Sequence, residues 1–162
     1  MDIIIRKALI EDLEIIATLV NNSVKELQKD DYDSNTINQA LELVSGLDTL
    51  VINGRLQVAE YDGLIVGCGG YSLIPKMSYK AELKSYFVLP EYARKGISTK
   101  LLNHSIEQCI KVGVTQFCLS ATLTGVPFYK RNGFTPIHEF DHKLSNGNTF
   151  RLVEMQRNLV PE

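Results

Sequence analysis

Residues 81–102, AELKSYFVLPEYARKGISTKLL, decide how this chain is read. Ala81–Leu89 is an extended apolar run, and it stops at Pro90, which has no N–H to give to a ladder. A short basic turn follows. From Gly96 onward Ile97, Leu101, Leu102, Ser105, Cys109 and Val112 recur at spacings of three and four, which is one face of a helix. Gly113 is a natural C-terminal stop for it. A strand feeding a helix through a glycine-bearing turn presents unpaired backbone N–H groups, and the helix dipole favours an anion there. Arg94, Lys95 and Lys100 gather at the same place, where positive side chains oppose the dipole unless an anion is present. The segment is therefore expected to bind a phosphorylated ligand.

Working outward, Ile3–Ala8 is a short β-rich run, followed by a helical period at Leu13, Ile16, Leu19, Val20, Val24 and Leu27. The stretch Gln28–Asn35 has turn composition, and a second helical period runs through Ile37, Ala40, Leu41, Val44 and Leu47. Strand signals dominate from Thr49 to Leu89. Gln57–Tyr61 and Leu64–Ile74 flank Asp62-Gly63, a two-residue hairpin signal. Beyond Gly113, Gln116–Thr122 reads as a buried strand and Val126–Asn132 as a short helix stopped by Gly133. Pro136–Leu144 and Thr149–Leu159 are final strands joined through Asn146-Gly147. The expected fold is a single α/β (α+β) domain spanning residues 1–162, with six or seven strands and about four helices.

The 162 residues suffice for one domain with a sizeable core. A formal net charge of −2 argues against a general nucleic-acid binder, which would carry a basic field. No apolar run approaches the roughly 18 residues of a membrane span. The acidic N-terminus lacks a signal-peptide layout, so a cytoplasmic protein is expected. Cys68, Cys109 and Cys118 have no metal-ligand spacing and read as small core residues in a reducing compartment. His104, His138 and His142 are scattered, and no metal is expected. Gly67, Gly69 and Gly70 lack the third glycine and the following helix of a dinucleotide fingerprint, and no phosphate-binding P-loop pattern is present. Glycines inside a strand mark a bulge or a close backbone approach instead.

Two segments carry a family resemblance. Ala93-Arg94-Lys95-Gly96-Ile97-Ser98, preceded by Val88-Leu89-Pro90, resembles the Q/R-x-x-G-x-G/A cofactor motif of the GNAT superfamily of N-acetyltransferases. Ala93 stands where Gln or Arg is usual, and Ser98 where Gly or Ala is usual. About thirty residues later PFYKRNGF (127–134) resembles the family's F-Y-x-x-x-G-F signature. The resemblance implies a mostly antiparallel mixed sheet with a splayed cleft between the fourth and fifth strands. It implies acetyl-CoA as co-substrate, its pyrophosphate held by the N–H groups of residues 94–99. On this reading Arg94, Lys95, Gly96, Ile97, Ser98 and Thr99 form the grip, and the pantetheine arm pairs with backbone at Phe87 and Val88.

The same resemblance implies roles in catalysis. Tyr129 occupies the family's tyrosine position, where the hydroxyl protonates the departing thiolate; a core aromatic is the plainer alternative. Glu82 lies eleven residues before Ala93, where several members have a glutamate base. An amine nucleophile is mostly protonated at neutral pH, so its proton must be removed for attack. Alternation along the strand puts Glu82 with Lys84, Tyr86 and Val88, so pairing of Glu82 with Lys84 or Lys80 is the competing reading. Thr122 stands where the family often has a cofactor-contacting asparagine. The loop with Asp30, Asp31 and Tyr32 would help line the acceptor site, where an acidic field suits a small cationic amine. A peptide acceptor remains open, as does a homodimer. The reading is an acyl-CoA-dependent N-acyltransferase acting by direct attack, with a non-catalytic acyl-CoA-binding module as its rival.

Overall fold

A computed structural model of the chain describes residues 2–27, 46–144, 147 and 149–159. Asp30, Asp31 and Tyr32, and all but the end of the second helical period, lie outside the described residues. Seven strands form one mixed sheet: β1 (Ile3–Lys7), β2 (Leu56–Tyr61), β3 (Leu64–Leu73), β4 (Lys80–Val88), β5 (Gln116–Thr122), β6 (Thr135–Lys143) and β7 (Thr149–Asn158). Their order across the sheet is β1-β2-β3-β4-β5-β7-β6. Every pairing is antiparallel except β4 with β5. The described helices are α1 (Leu13–Leu27), α2 (Leu47–Ile52), α3 (Ile97–Lys111) and α4 (Val126–Arg131).

The sheet separates two cores. On one face Ile16, Leu19, Val20 and Val24 of α1 and Leu50 and Val51 of α2 pack with Val58, Cys68, Phe150 and Leu152. On the other, α3 buries Leu102, Ile106 and Cys109 against Ala81, Leu83, Phe117 and Met155. Its Ile97 and Leu101 pack on Ala59, Val66 and Val88. Each fully buried aliphatic of this kind contributes about 1.5–3 kcal/mol, so α3 is held chiefly by its apolar face.

The strand glycines are close-approach positions. A Cβ on Gly67 would lie 3.2 Å from Ile97 Cγ2, on Gly69 2.4 Å from the Tyr86 ring, and on Gly70 2.3 Å from the carbonyl oxygen of Arg55. The three glycines thus admit α3, a tyrosine ring and the neighbouring backbone. Asp62 and Gly63 both have positive φ, 51° and 78°, as a type I′ hairpin requires.

Two sequence expectations are corrected. Thr49–Ile52 is helical, part of α2, rather than strand. Leu50 and Val51 are buried in the core that α1 shares with β2 and β3, and that packing outweighs the β preference of the branched residues. In β4 the alternation breaks at Ser85, whose φ is +64°. The β3–β4 register shifts between Cys68 and Gly70, so Phe87 opposes Cys68 while Lys84 opposes Gly70. That β-bulge turns Tyr86 and Val88 onto the α3 face with Ala81 and Leu83, and away from Glu82 and Lys84.

Candidate active site

Strands β4 and β5 pair only through Lys80, Ala81 and Glu82, opposite Gln116, Phe117 and Cys118. Beyond Glu82 they diverge. The bulge at Ser85 bends β4 at this point, and a cleft of about 920 Å³ opens between the strands. Its walls come from β4, β5, the start of α3, α4, α1 and the β6–β7 hairpin.

At one end lies the turn into α3. Arg94 and Gly96 both have positive φ, 61° and 81°, which folds the chain back on itself just before the helix. Among the described residues no side chain caps α3, and its first intrahelical bond is donated by Lys100 to the carbonyl of Gly96. The N–H groups of the preceding turn therefore lack a helix partner and point out of the N-terminus. Arg94, Gly96, Ile97, Ser98 and Thr99 all border the cleft. Ile97 has its side chain in the core, leaving its backbone to face outward. Lys95 is exposed and does not line the cleft.

Tyr129 borders the cleft from α4. The sequence NGF behind it has a structural reason: α4 ends in a Schellman motif. Gly133 N–H bonds to Lys130 O at 3.2 Å and Phe134 N–H to Tyr129 O at 3.0 Å, with Gly133 at φ +89°. The Phe134 ring then meets Tyr129 at 5.8 Å between centroids, and Phe128 meets it at 5.0 Å, both edge to face. The motif's glycine and phenylalanine thus lock the tyrosine in place. Desolvation pushes the Tyr129 phenol above its ordinary value, so it stays protonated throughout the neutral range.

Glu82 borders the same cleft where the two strands part, with Lys84 Nζ 3.5 Å from its carboxylate. Both are substantially solvated, so the contact is weak. Phe87 and Val88 lie further along β4 on the splayed side. Leu89 N–H donates to Val66 O in β3, so by alternation Val88 N–H points the other way, into the cleft. Buried Ser23 of α1 donates to Val88 O at 2.8 Å and anchors this part of the strand.

Thr122, at the asparagine position, receives the N–H of Gly125 on its Oγ1 at 3.1 Å and so stabilises the turn into α4. Tyr86, which strict alternation grouped with Glu82, also borders the cleft, although the bulge turns its ring toward α3. Its hydroxyl is buried close to that of Ser105, and desolvation pushes the phenol well above its ordinary value. His142 also borders the cleft from β6; the sequence marks the β6–β7 hairpin, but not that its pairing with β5 carries it to the cleft.

Comparison with known proteins agrees with this geometry. The family model described as acetyltransferase (GNAT) family matches residues 21–134. No curated protein matches the chain significantly by sequence. Among solved structures, a GCN5-related N-acetyltransferase from Rhodopseudomonas palustris superposes with a TM-score of 0.83 at 18% identity, covering 98% of this chain and 97% of that one. PaiA N-acetyltransferase from Thermoplasma acidophilum, in complex with coenzyme A, gives 0.75 at 24%, covering 98% and 99%. YncA from Salmonella typhimurium, a putative acetyltransferase with acetyl-CoA, gives 0.70 at 20%, covering 100% and 96%. At these identities the likeness shows a common fold.

Proposed function

The chain belongs to the GNAT acetyltransferase family, and from that premise we propose that it transfers an acetyl group from acetyl-CoA to a primary amine by direct attack. The carrying observation is the cleft itself: one opening is bordered by the N-terminus of α3, by Glu82 and by Tyr129. The fit to acetyl-CoA is chemical. Unpartnered N–H groups at the start of a 15-residue helix, with Arg94 beside them, suit a pyrophosphate. The long, partly apolar cleft suits an extended arm. That PaiA from Thermoplasma acidophilum is seen with coenzyme A supports the same occupant here.

Glu82, directly or through water, takes the proton that frees the amine lone pair. The amine nitrogen forms a bond to the thioester carbonyl carbon, and Val88 N–H stabilises the oxygen as it gains charge. The carbon–sulfur bond then breaks, and Tyr129 gives its proton to the leaving thiolate. Desolvation makes that thiolate more basic than in water, which matches a phenol whose own acidity is suppressed. The nitrogen gives up its second proton to solvent as the amide forms, Glu82 passes on the one it took, and solvent restores the proton to Tyr129. From the protonated amine the sum is amide, free thiol and one released proton. Arg94 and the α3 N-terminus hold the donor in place, so much of the rate comes from lost translational freedom. The Asp30, Asp31 and Tyr32 loop would supply the field that selects a cationic amine.

The test is thiol release from acetyl-CoA against polyamines, aminoglycosides, amino acids and lysine peptides. Turnover with one class is expected. Acetyl-CoA raising the melting temperature with no turnover on any class would instead point to the non-catalytic binding module.

A further inference from the structure

A second hollow, of about 360 Å³, lies away from the cleft, where the start of β2 and the turn after α2 meet the flank of α3. Its lining includes Lys7, Arg55, Gln57, Tyr71, His104 and Gln108, with no carboxylate among the described residues. Arg6, at its rim, is neutralised by Asp12 and Glu60 at 2.8 and 2.7 Å. Lys7 and Arg55 have no acidic partner among the described residues.

Lys7 and Gln57 are register partners across β1 and β2, so their side chains stand side by side. Lys7 is further located by Gly54: a Cβ there would lie 3.7 Å from the ammonium nitrogen. Gln57 is 2% exposed, and its Oε1 is buried with no hydrogen-bond donor among the described residues. Nδ1 of His104 is likewise buried and unpartnered. A buried amide oxygen without a donor is costly, and a residue that merely filled core space here would be apolar.

We propose that this hollow is a ligand site for a small 2-hydroxy carboxylate. Two unpaired cations call for an anion. The orphaned Gln57 oxygen calls for a hydrogen-bond donor next to that anion, which a bare carboxylate lacks. The donor is a hydroxyl rather than an ammonium, because the hollow already carries uncompensated positive charge. Its volume is near the lower end for small-molecule pockets and is ample for a ligand of this size. His104 and Gln108 stand on α3, the helix whose N-terminus borders the cleft, so an occupant here contacts the same rigid element. The site is independent of the acetyl-transfer reading.

The experiment is an amide ¹H–¹⁵N titration of the full chain with DL-lactate, with propionate and glycine as comparison probes. Lactate is expected to shift Gly54, Gln57, His104 and Gln108 saturably, with or without coenzyme A present. Propionate, lacking only the hydroxyl, is expected to bind about fivefold more weakly, the worth of one net hydrogen bond. Lys7→Gln and Arg55→Gln should each weaken lactate several-fold while keeping a dispersed, folded spectrum. If Arg55→Gln fails to fold, exposed Lys7→Gln still decides the matter. The proposal is overturned by the absence of saturable shifts at these residues, or by equal affinity for propionate or tighter binding of glycine. Shifts displaced by coenzyme A, or unchanged in the folded variants, overturn it equally.

Discussion

Gly96 and Gly113 close the two ends of α3 in the same backbone conformation, φ +81° and +91°, and around both a Cβ would meet nothing within 4 Å. Alanine at either position therefore suffers only from backbone strain. The left-handed region costs an L-residue about 1–2 kcal/mol. Loss of glycine's freedom in the unfolded chain returns about 0.4–1 kcal/mol of that. The net is roughly 1 kcal/mol for each variant, or about 2–4 °C in melting temperature for a chain of this size. Their effects on coenzyme A should differ. Gly113 sits in a Schellman motif, where Val114 N–H bonds to Cys109 O at 3.1 Å, far from the cleft. Relief of strain at Gly96 rotates the N–H groups proposed to hold the pyrophosphate. Losing even one charge-assisted hydrogen bond costs about 1.5–3 kcal/mol, which is roughly a tenfold or greater rise in Kd. Calorimetric titration with coenzyme A, beside thermal melts of both variants, measures both quantities. Matched destabilisation with an unchanged Kd in Gly96→Ala would refute the assignment of the grip to this turn.

Tyr129→Phe keeps the ring contacts with Phe128 and Phe134 and removes only the hydroxyl. Its kcat should fall by about 10²-fold or more with the acetyl-CoA KM retained, and full activity would exclude a proton-donor role. Asp12 accepts hydrogen bonds from Arg6 at 2.8 and 3.2 Å and from the Leu9 N–H at 2.7 Å. Asp12→Ala should therefore cost about 2 kcal/mol in urea unfolding at neutral pH. Arg6 holds that carboxyl below its ordinary value, so its contribution is complete above the unfolded carboxyl's pKa and disappears as pH falls through the folded one. The gap between parent and variant should narrow as pH falls below the ordinary carboxyl range, and a gap independent of pH would contradict the ion pair's role. Burial pushes the thiols of Cys68 and Cys109 up to about 12, whereas Cys118 is half-exposed. Alkylation of the native chain should thus reach Cys118 first, with all three labelled only after unfolding; equal native rates would contradict the buried assignments.

The local patterns of this chain were sufficient for much of the architecture. Alternating runs, helical periods and turn residues found β1 through β7, α1, α3 and α4, because each is set by residues within a few positions of one another. The stop at Gly113, the Asp62-Gly63 hairpin and the turn at Gly96 were legible for the same reason: a positive φ leaves few residue choices. Thr49–Ile52 misled because its β-branched residues are held in a helix by burial in the core shared with α1, β2 and β3, which sequence proximity does not reveal. Which backbone departs from its pattern was decided only in three dimensions. Ser85, an ordinary strand residue by composition, takes a positive φ opposite the glycines of β3. That one bulge turns Tyr86 toward α3 and bends β4 where its pairing with β5 stops. The hollow beside Gln57 is likewise tertiary, since β1, β2 and α3 contribute to it from positions up to about a hundred residues apart. A sequence can state which elements a chain makes, because local sterics and hydrophobic period are short-ranged. Where those elements part to leave a cleft depends on long-range packing, and that was decided by the fold.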